Sequence, residues 1–461
     1  MVNQKIIQQF YNFRNEIIKR IYLQQAIEWN FIVSNNNSSF DDDLYNELER
    51  EIITIEQSPQ LIDAISKILS QKYTYDKNLA YEAEIVLDRI TQRKNKEGLE
   101  DFTRAKINCQ KKYLLAKQEN DFNAVKKSLG DLVKIKREIS NNSYQMVLQE
   151  KVKYVSFREV DKLFSKISDS SLLLLNHNET IAKSCIVNED AQNIINYLLE
   201  LMNINSKTIT LTQSSESFMM SFGSKDVRVG LNKKERDLVS FLKYAAHEFG
   251  HLLYEQRNNE CFDNTFLSGG SSTTFHEGMA YFFEHYLAES NLFQKLIIKK
   301  YNLKFKEELS SVTPIRIKSS NAQYPLHILV RYELEKALIN GSLKVYDLNF
   351  AWKEMYKKHL QILPNSDQDG ILQDPHWFNG QFGYFPAYII GRAYASQLYK
   401  TINKIYDFEK CIIDENLKKP IDWLTENVYQ FGSSKKPKQI LLNSTGCEFS
   451  SDDYLDDILS K

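Results

Sequence analysis

The sequence predicts a predominantly helical, all-α chain with one small antiparallel sheet, and three observations carry that expectation. Apolar residues recur at helical spacing through most of the 461 residues. Only residues 207–231 alternate or cluster β-branched side chains as strands do. Just after that stretch, Leu238, Phe241, Leu242, Ala245, Phe249, Leu252 and Leu253 fall at i, i+3, i+4 and i+7, the stripe of a helix that packs one face on a core.

Taken in order, residues 4–29 read as the first helix. Residues 34–43 form a polar break whose aspartates are suited to cap the helical pattern resumed over residues 44–71. Residues 79–140, rich in Lys, Glu and Ala, read as amphipathic helices folded back as hairpins, with packing inside the domain expected ahead of coiled-coil dimerisation. Short strands are expected at residues 208–212, 217–222 and 227–229, separated by turns containing Ser and Gly. Such a sheet could offer an edge to which an extended peptide adds its backbone. Residues 234–256 form the next helix; a Gly- and Ser-rich loop at 268–272 then leads into another, with Phe275, Met279, Phe282, Phe283 and Tyr286 as its apolar positions. The Lys-, Ser- and Asp-rich stretch 433–461 reads as a mobile tail. No repeat or linker divides the chain, so one domain is expected over residues 1–461, with a helical lobe at 1–205, a lobe carrying the site at 206–432, and a deep cleft between them.

Composition narrows the function classes. A formal net charge of −1 gives no electrostatic reason to bind nucleic acid or an anionic membrane. The short basic runs at 93–96 and 435–438 read as solvated loops. Five cysteines, odd in number and without C-x-x-C spacing, suggest neither a disulfide framework nor a cysteine metal site. With no signal-peptide pattern at the start and no apolar run of membrane-spanning length, a reduced, cytoplasmic setting is expected.

The most informative feature is His247-Glu248-Phe249-Gly250-His251. On a helix the two histidines lie one turn apart on one face, so both imidazoles can reach one zinc ion with Glu248 beside it, the signature of a metal-dependent hydrolase. The plain alternative is a pair of surface histidines, but these two border an apolar stripe. A zinc hydrolase site needs a third protein ligand from another element, and Glu277 on the following helix is the best candidate. Two other uses compete: Thr274-x-x-Glu277 also fits a capping box, and His276 competes for the ligand position. Glu284, two turns after Glu277, is placed to accept an N–H from a ligating imidazole, or else to be a solvated carboxylate.

Here the chain resembles the carboxypeptidase Taq family of zinc metallocarboxypeptidases. The family's Asp-x-Arg-x-Thr motif resembles Asp226-Val-Arg228-Val-Gly230, and its His-Glu-Ser-Gln motif resembles His276-Glu277-Gly278-Met279. Ile-Arg-x-x-Ala-Asp has its counterpart in Ile315-Arg316-Ile-Lys-Ser319-Ser320, and the run from Tyr324 to Lys336, through Arg331, follows as in the family. Gly-x-x-Gln-Asp-x-His-Trp is complete as Gly370-Ile-Leu-Gln373-Asp374-Pro-His376-Trp377, with Tyr384 and Tyr388 after it. The resemblance implies a helical, gluzincin-type metallopeptidase fold, with His247, His251 and Glu277 as zinc ligands and Glu248 as general base. It also implies cobalt or manganese as substitute metals, peptides as substrates and homodimers as the usual assembly.

Several positions depart from that pattern. Gly230 stands where the family has Thr, Gly278 and Met279 replace Ser-Gln, Ser319 and Ser320 replace Ala-Asp, and the usual His-Pro-Phe is missing near Phe218. These changes spare the metal ligands and fall on residues expected to line the substrate cleft.

The chemistry implied is hydrolysis by a water acidified at the metal, with Glu248 passing its proton to the leaving amine. His376, Tyr384 and Tyr388 are the expected oxyanion donors, against the alternatives of a core histidine bonded to Asp374 and of packing tyrosines. An exopeptidase further needs a cation for the substrate's terminal carboxylate, for which Arg316 is favoured, then Arg331 and Arg228, each with a structural salt bridge as its alternative use. Two rival readings stand beside the carboxypeptidase: a dipeptidase or oligopeptidase of altered specificity, and a peptide-binding protein that keeps the metal site without turnover.

Overall fold

The computed structural model describes residues 4–34, 41–72, 76–94, 99–176, 180–214, 217–232, 237–309 and 311–459. Most of the polar break expected at 34–43, the first residues of the helix expected at 234–256, and residues 95–98 within the stretch 79–140, with them part of the basic run at 93–96, lie outside these. The chain forms two compact units. The first gathers Met1–Asn95, Ala182–Lys306 and Leu398–Glu448; the second gathers Lys96–Ile181, Glu307–Gln397 and Phe449–Lys461. Each unit is therefore built from three separated stretches, where the sequence suggested divisions near residues 205 and 432.

In the first unit, the helices Gln4–Val33, Asp42–Glu56, Pro59–Ser70 and Lys77–Lys94 pack through the apolar faces that their periodicity requires. Phe10, Ile17, Ile52, Leu61, Ile65, Ile68 and Val86 meet in one buried cluster, each such side chain contributing about 1.5–3 kcal/mol by leaving water. Asp41 caps the second helix, accepting the Leu44 N–H at 3.0 Å, and proline stands in the first turn of the third, where its missing N–H costs nothing.

Five strands are present among the described residues: β1 (Thr180–Ser184), β2 (Ile209–Gln213), β3 (Phe218–Ser221), β4 (Val227–Leu231) and β5 (Phe305–Leu309). The sheet expected over 207–231 forms, but it is mixed rather than antiparallel, in the order β2-β4-β3. A tight turn at Phe222–Asp226, with Gly223 at φ +111°, folds β4 back on β3, so that pair is antiparallel, with Phe218 opposite Gly230. The most apolar strand takes the centre: Val227, Val229, Gly230 and Leu231 of β4 are buried, and in that place β4 runs parallel to β2. The pairing of β1 with β5 was not expected. Both are short and polar, and their partners stand far apart in the chain.

In the second unit, Leu99–Glu119 and Asn123–Ile139 form the expected hairpin within the domain. Tyr324–Asn340 is buried on nearly all sides and ends at Gly341, whose φ of +87° suits a residue without a side chain. It packs on Phe157–Asp169 and Leu348–Leu360. The stretch expected as a mobile tail instead carries two helices. Pro437–Thr445 buries Ile440 and Leu441, and Asp452–Leu459 buries Tyr454, Leu455 and Ile458. Their few apolar residues sit at helical spacing within a polar background, which composition alone hides. All five cysteines are free, and no described helix is long and apolar enough to cross a membrane.

Candidate metal centre

The helix that carries both histidines begins at Leu238, where Asp237 accepts the Ser240 N–H at 2.9 Å, and runs to Gln256. Its partner, Thr273–Phe283, is capped by Ser272, whose hydroxyl accepts the Phe275 N–H at 3.1 Å. That cap decides one alternative. Thr274 is not the capping residue, and the Glu277 carboxylate is not needed at the helix end. Gly250 lets the two helices approach closely: a Cβ there would lie 2.6 Å from Ala280 Cα and 2.9 Å from Met279 O.

Across this close approach, Glu277 faces the two histidines. Its Oε2 lies 3.7 Å from His247 Nε2 and 4.0 Å from His251 Nε2, beyond hydrogen-bond reach, and one ligand atom from each of the three residues lies within 4.8 Å of the others. Ligands held at zinc distances in tetrahedral geometry stand roughly 3.3–3.6 Å apart, so a slight closure would seat such an ion. Two nitrogens and one carboxylate oxygen are also the donor set that zinc takes. The residues present therefore fit a zinc-like cation.

The charges around this triad are arranged in depth. His247 turns its Nδ1 to Glu284 Oε2 at 2.8 Å, which leaves Nε2 facing Glu277. The Thr273–Phe283 helix runs on into a π-helical turn over Glu284–Ala288, in which the Glu289 N–H bonds the Glu284 carbonyl at 3.0 Å. That wider turn brings Glu284 and Glu289 to the same cation: Lys243 Nζ is 3.9 Å from Glu284 Oε1 and in tight contact with Glu289. Burial alone would push His247 down, but the Glu284 hydrogen bond and the Glu284, Glu248 and Glu277 charges outweigh it and raise the imidazole to about 9. Burial, with His276 and His247 beside it, holds His251 well below the usual histidine range, in the neutral form that ligates metals. Glu248 is buried; that burial, reinforced by Glu277 and Glu284 and opposed by His247, raises its carboxyl to about 7.

His276 is not aimed at the triad's centre. Its Nε2 lies 2.9 Å from Glu255 Oε1, and its ring is stacked on that of His251. Arg228 belongs to the same unit, but its guanidinium is engaged locally, donating to both oxygens of Asp226 at 2.9 and 2.7 Å and lying 4.1 Å over the Phe222 ring. Gly230 is filled from across the sheet: a Cβ there would lie 2.3 Å from Phe218 Cε1, and that ring packs on Trp29 at 5.2 Å.

In the second unit the remaining candidates gather round Asp374. Arg316 donates to Asp374 Oδ1 from Nε at 3.1 Å and from a terminal nitrogen at 2.7 Å, with its other terminal nitrogen 3.1 Å from the Tyr324 hydroxyl. Arg331 donates to Asp374 Oδ2 at 2.7 Å and to the His327 carbonyl at 2.7 Å. With 0% exposure Arg331 offers nothing to a ligand, so its expected place on the substrate side gives way to a structural one. Two arginines against one aspartate leave the cluster formally cationic. His376 Nε2 meets the Tyr388 hydroxyl at 3.2 Å, and its Nδ1 stays 4.0 Å from Asp374, too far to be the core pair considered above. Burial, aided by the arginines and opposed by Asp374, lowers His376 to about 4, so it is neutral at pH 7. Tyr384 lies against the same imidazole, ring centroids 5.6 Å apart. The loop that carries them is anchored on the buried Glu335, which accepts the Trp377 indole N–H at 2.5 Å and the Gly383 N–H.

The sequence reading missed Lys243, Glu255, Glu289 and Glu335. Lys243 and Glu255 stand four residues before His247 and four after His251, so the helical repeat could have flagged them. Glu289 is reached only through the π-helical turn, which spacing does not reveal.

A family model described as carboxypeptidase Taq (M32) metallopeptidase matches residues 31–461. Carboxypeptidase 1 of Bacillus subtilis is 29% identical over 375 residues, which cover 75% of this chain and 74% of that protein. Thermostable carboxypeptidase 1 of Pyrococcus furiosus is 34% identical over 253 residues, covering 51% of this chain and 50% of its own length. A solved structure of a Pyrococcus furiosus carboxypeptidase superposes with a TM-score of 0.90 over 100% of this chain and 99% of that one; at 23% identity the likeness is one of fold.

Proposed function

Since the chain belongs to the carboxypeptidase Taq (M32) metallopeptidase family, we propose that it is a zinc-dependent carboxypeptidase that removes residues from the C-terminus of peptides. The observation that carries this reading is the convergence of His247, His251 and Glu277 with a buried Glu248 beside them.

When bound, zinc supplies Lewis acidity, polarising the scissile carbonyl and acidifying the attacking water. Every other task falls to the chain. His247, His251 and Glu277 would hold the ion, and Glu284 fixes the tautomer and ring plane of His247. Glu248, raised to about 7, is poised to take a proton from the water and return it to the leaving amine. We assign the substrate's terminal carboxylate to Arg316, which keeps some exposure, and treat Arg331 and Asp374 as its support. His376, neutral at pH 7, with Tyr384 and Tyr388 as alternates, is the assigned oxyanion donor.

One observation favours altered specificity within this reaction. The Phe218 ring occupies the space beside Gly230 where the family pattern has a threonine side chain, replacing a hydroxyl with an apolar surface. The test is a mixed peptide library with zinc-reconstituted protein, read by mass spectrometry beside Glu248→Gln. Stepwise loss of C-terminal residues, absent in the variant, is the expected result; cleavage only at internal bonds would overturn the exopeptidase assignment.

A further inference from the structure

The two imidazoles of the metal centre are held in different ways. His247 has the Glu284 carboxylate 2.8 Å from its Nδ1, whereas His251 Nδ1 is buried and meets no hydrogen-bond partner among the described residues. A ligating imidazole needs its ring plane fixed, usually by a hydrogen bond through the second nitrogen. For His251 that hydrogen bond is missing and something else does the work.

Its ring lies nearly flat on His276, with centroids 4.5 Å apart and planes 14° from parallel. Tyr254, one turn beyond His251, also stacks on His276, at 5.2 Å and 27°. The backbone of the Ser- and Gly-rich loop abuts the same ring: a Cβ on Gly270 would lie 2.6 Å from His276 Cδ2. That loop is tied to the metal helix by the Ser271 N–H, which donates to the Tyr254 hydroxyl at 3.1 Å. Finally, the buried Glu255 holds His276 at its far end, 2.9 Å from Nε2. The approach does not make a hydrogen bond, so the contact is a polar tether and the stacking sets the plane. Glu255 follows His251 by one turn and His247 by two, so a single helix face supplies both imidazoles and the tether.

We propose that His276 and Glu255 form a positioning pair that fixes the ring plane of His251 by stacking and thereby sets the affinity of the site for its metal. This rests on the metal-centre reading above. Neither residue ligates the ion.

Zinc affinity, measured by competition with a chromogenic chelator on the full-length protein, tests the pair. His276→Leu fills the volume without a flat ring and is expected to weaken zinc about 10- to 100-fold, whereas His276→Phe keeps the stack, loses only the Glu255 tether and is expected to weaken zinc less than the Leu variant. Glu255→Ala frees the His276 ring and weakens zinc in the same direction; it decides the matter if His276→Leu does not fold. Melting temperatures of the metal-free variants report folding separately. Wild-type affinity in His276→Leu, or equal weakening in Leu and Phe variants that melt alike, would overturn the proposal. If the wild type itself takes up no zinc, the metal-centre reading fails, an outcome distinct from a wild type that binds and a Leu variant that binds equally.

Discussion

Glu284 Oε2 lies 2.8 Å from His247 Nδ1, and the same carboxylate has Lys243 Nζ 3.9 Å from its other oxygen. The ring therefore presents Nε2 towards Glu277 and His251, with the opposite nitrogen anchored in a partly buried ion network. The His-Glu-x-x-His spacing supplies two imidazoles; this network gives one of them a fixed direction.

Glu284→Gln keeps the shape and removes the charge. Zinc affinity should fall about 10- to 100-fold, read by chelator competition, because the anion that supports the imidazole is lost. Unchanged affinity would leave Glu284 as a surface carboxylate that happens to lie nearby.

Glu248→Gln should retain metal at wild-type stoichiometry and lose roughly 10²- to 10⁴-fold in kcat, the usual worth of a positioned general base. Metal content by atomic absorption beside peptide turnover checks it. Full turnover in this variant would move the proton transfer to another group.

The pH dependence has a defined sign. Burial raises Glu248 to about 7, and a bound cation can only draw that value down. A base must be ionised to act, so kcat/KM should fall on the acid side with a limb no higher than about pH 7. A limb above pH 8 would mean that another group controls the rate.

Gly250→Ala places a methyl group 2.6 Å from Ala280 Cα, where backbone must move. A loss of about 1–3 kcal/mol in denaturant melts is expected, with weaker zinc binding, because Glu277 is carried by the helix that is pushed away. Normal stability with normal zinc affinity would show that the crossing tolerates a wider spacing.

Asp374 bridges two buried arginines, and its removal should be severe. Asp374→Asn leaves Arg331, with no exposed surface, facing no full negative charge, at about 3–5 kcal/mol. Burial alone would raise the Asp374 carboxyl, but Arg331 and Arg316 overcome it and hold it far below the ordinary range. A lowered value stabilises the fold above the unfolded carboxyl pKa of about 3.9 and is lost as pH falls below it. Acid melts of the wild type should therefore show a component that the Asn variant lacks.

Much of this protein is local and was legible as such. Helical periodicity marked the N-terminal helices and the metal helix, and the three strands of the mixed sheet were found within a residue or two. The histidine spacing named His247 and His251, because residues four apart on a helix share a face whatever surrounds it. What composition misjudged was the last segment, where Ile440, Leu441, Tyr454 and Ile458 are buried in helices that a polar background concealed.

By itself the sequence determined which side chains share one helix face: two imidazoles with a glutamate beside them, and a downstream carboxylate free to join them. Whether Glu277 capped its own helix or faced the histidines depended on a different residue, Ser272, taking the cap, and on Gly250 letting two helices close. Tertiary structure also withdrew Arg331 by burying it, occupied Arg228 with Asp226, turned His276 to Glu255, and placed β4 between β2 and β3. The reason is physical. Periodicity fixes which face of an element a side chain occupies, whereas the partner that neutralises a charge or fills a space arrives from a distant part of the chain.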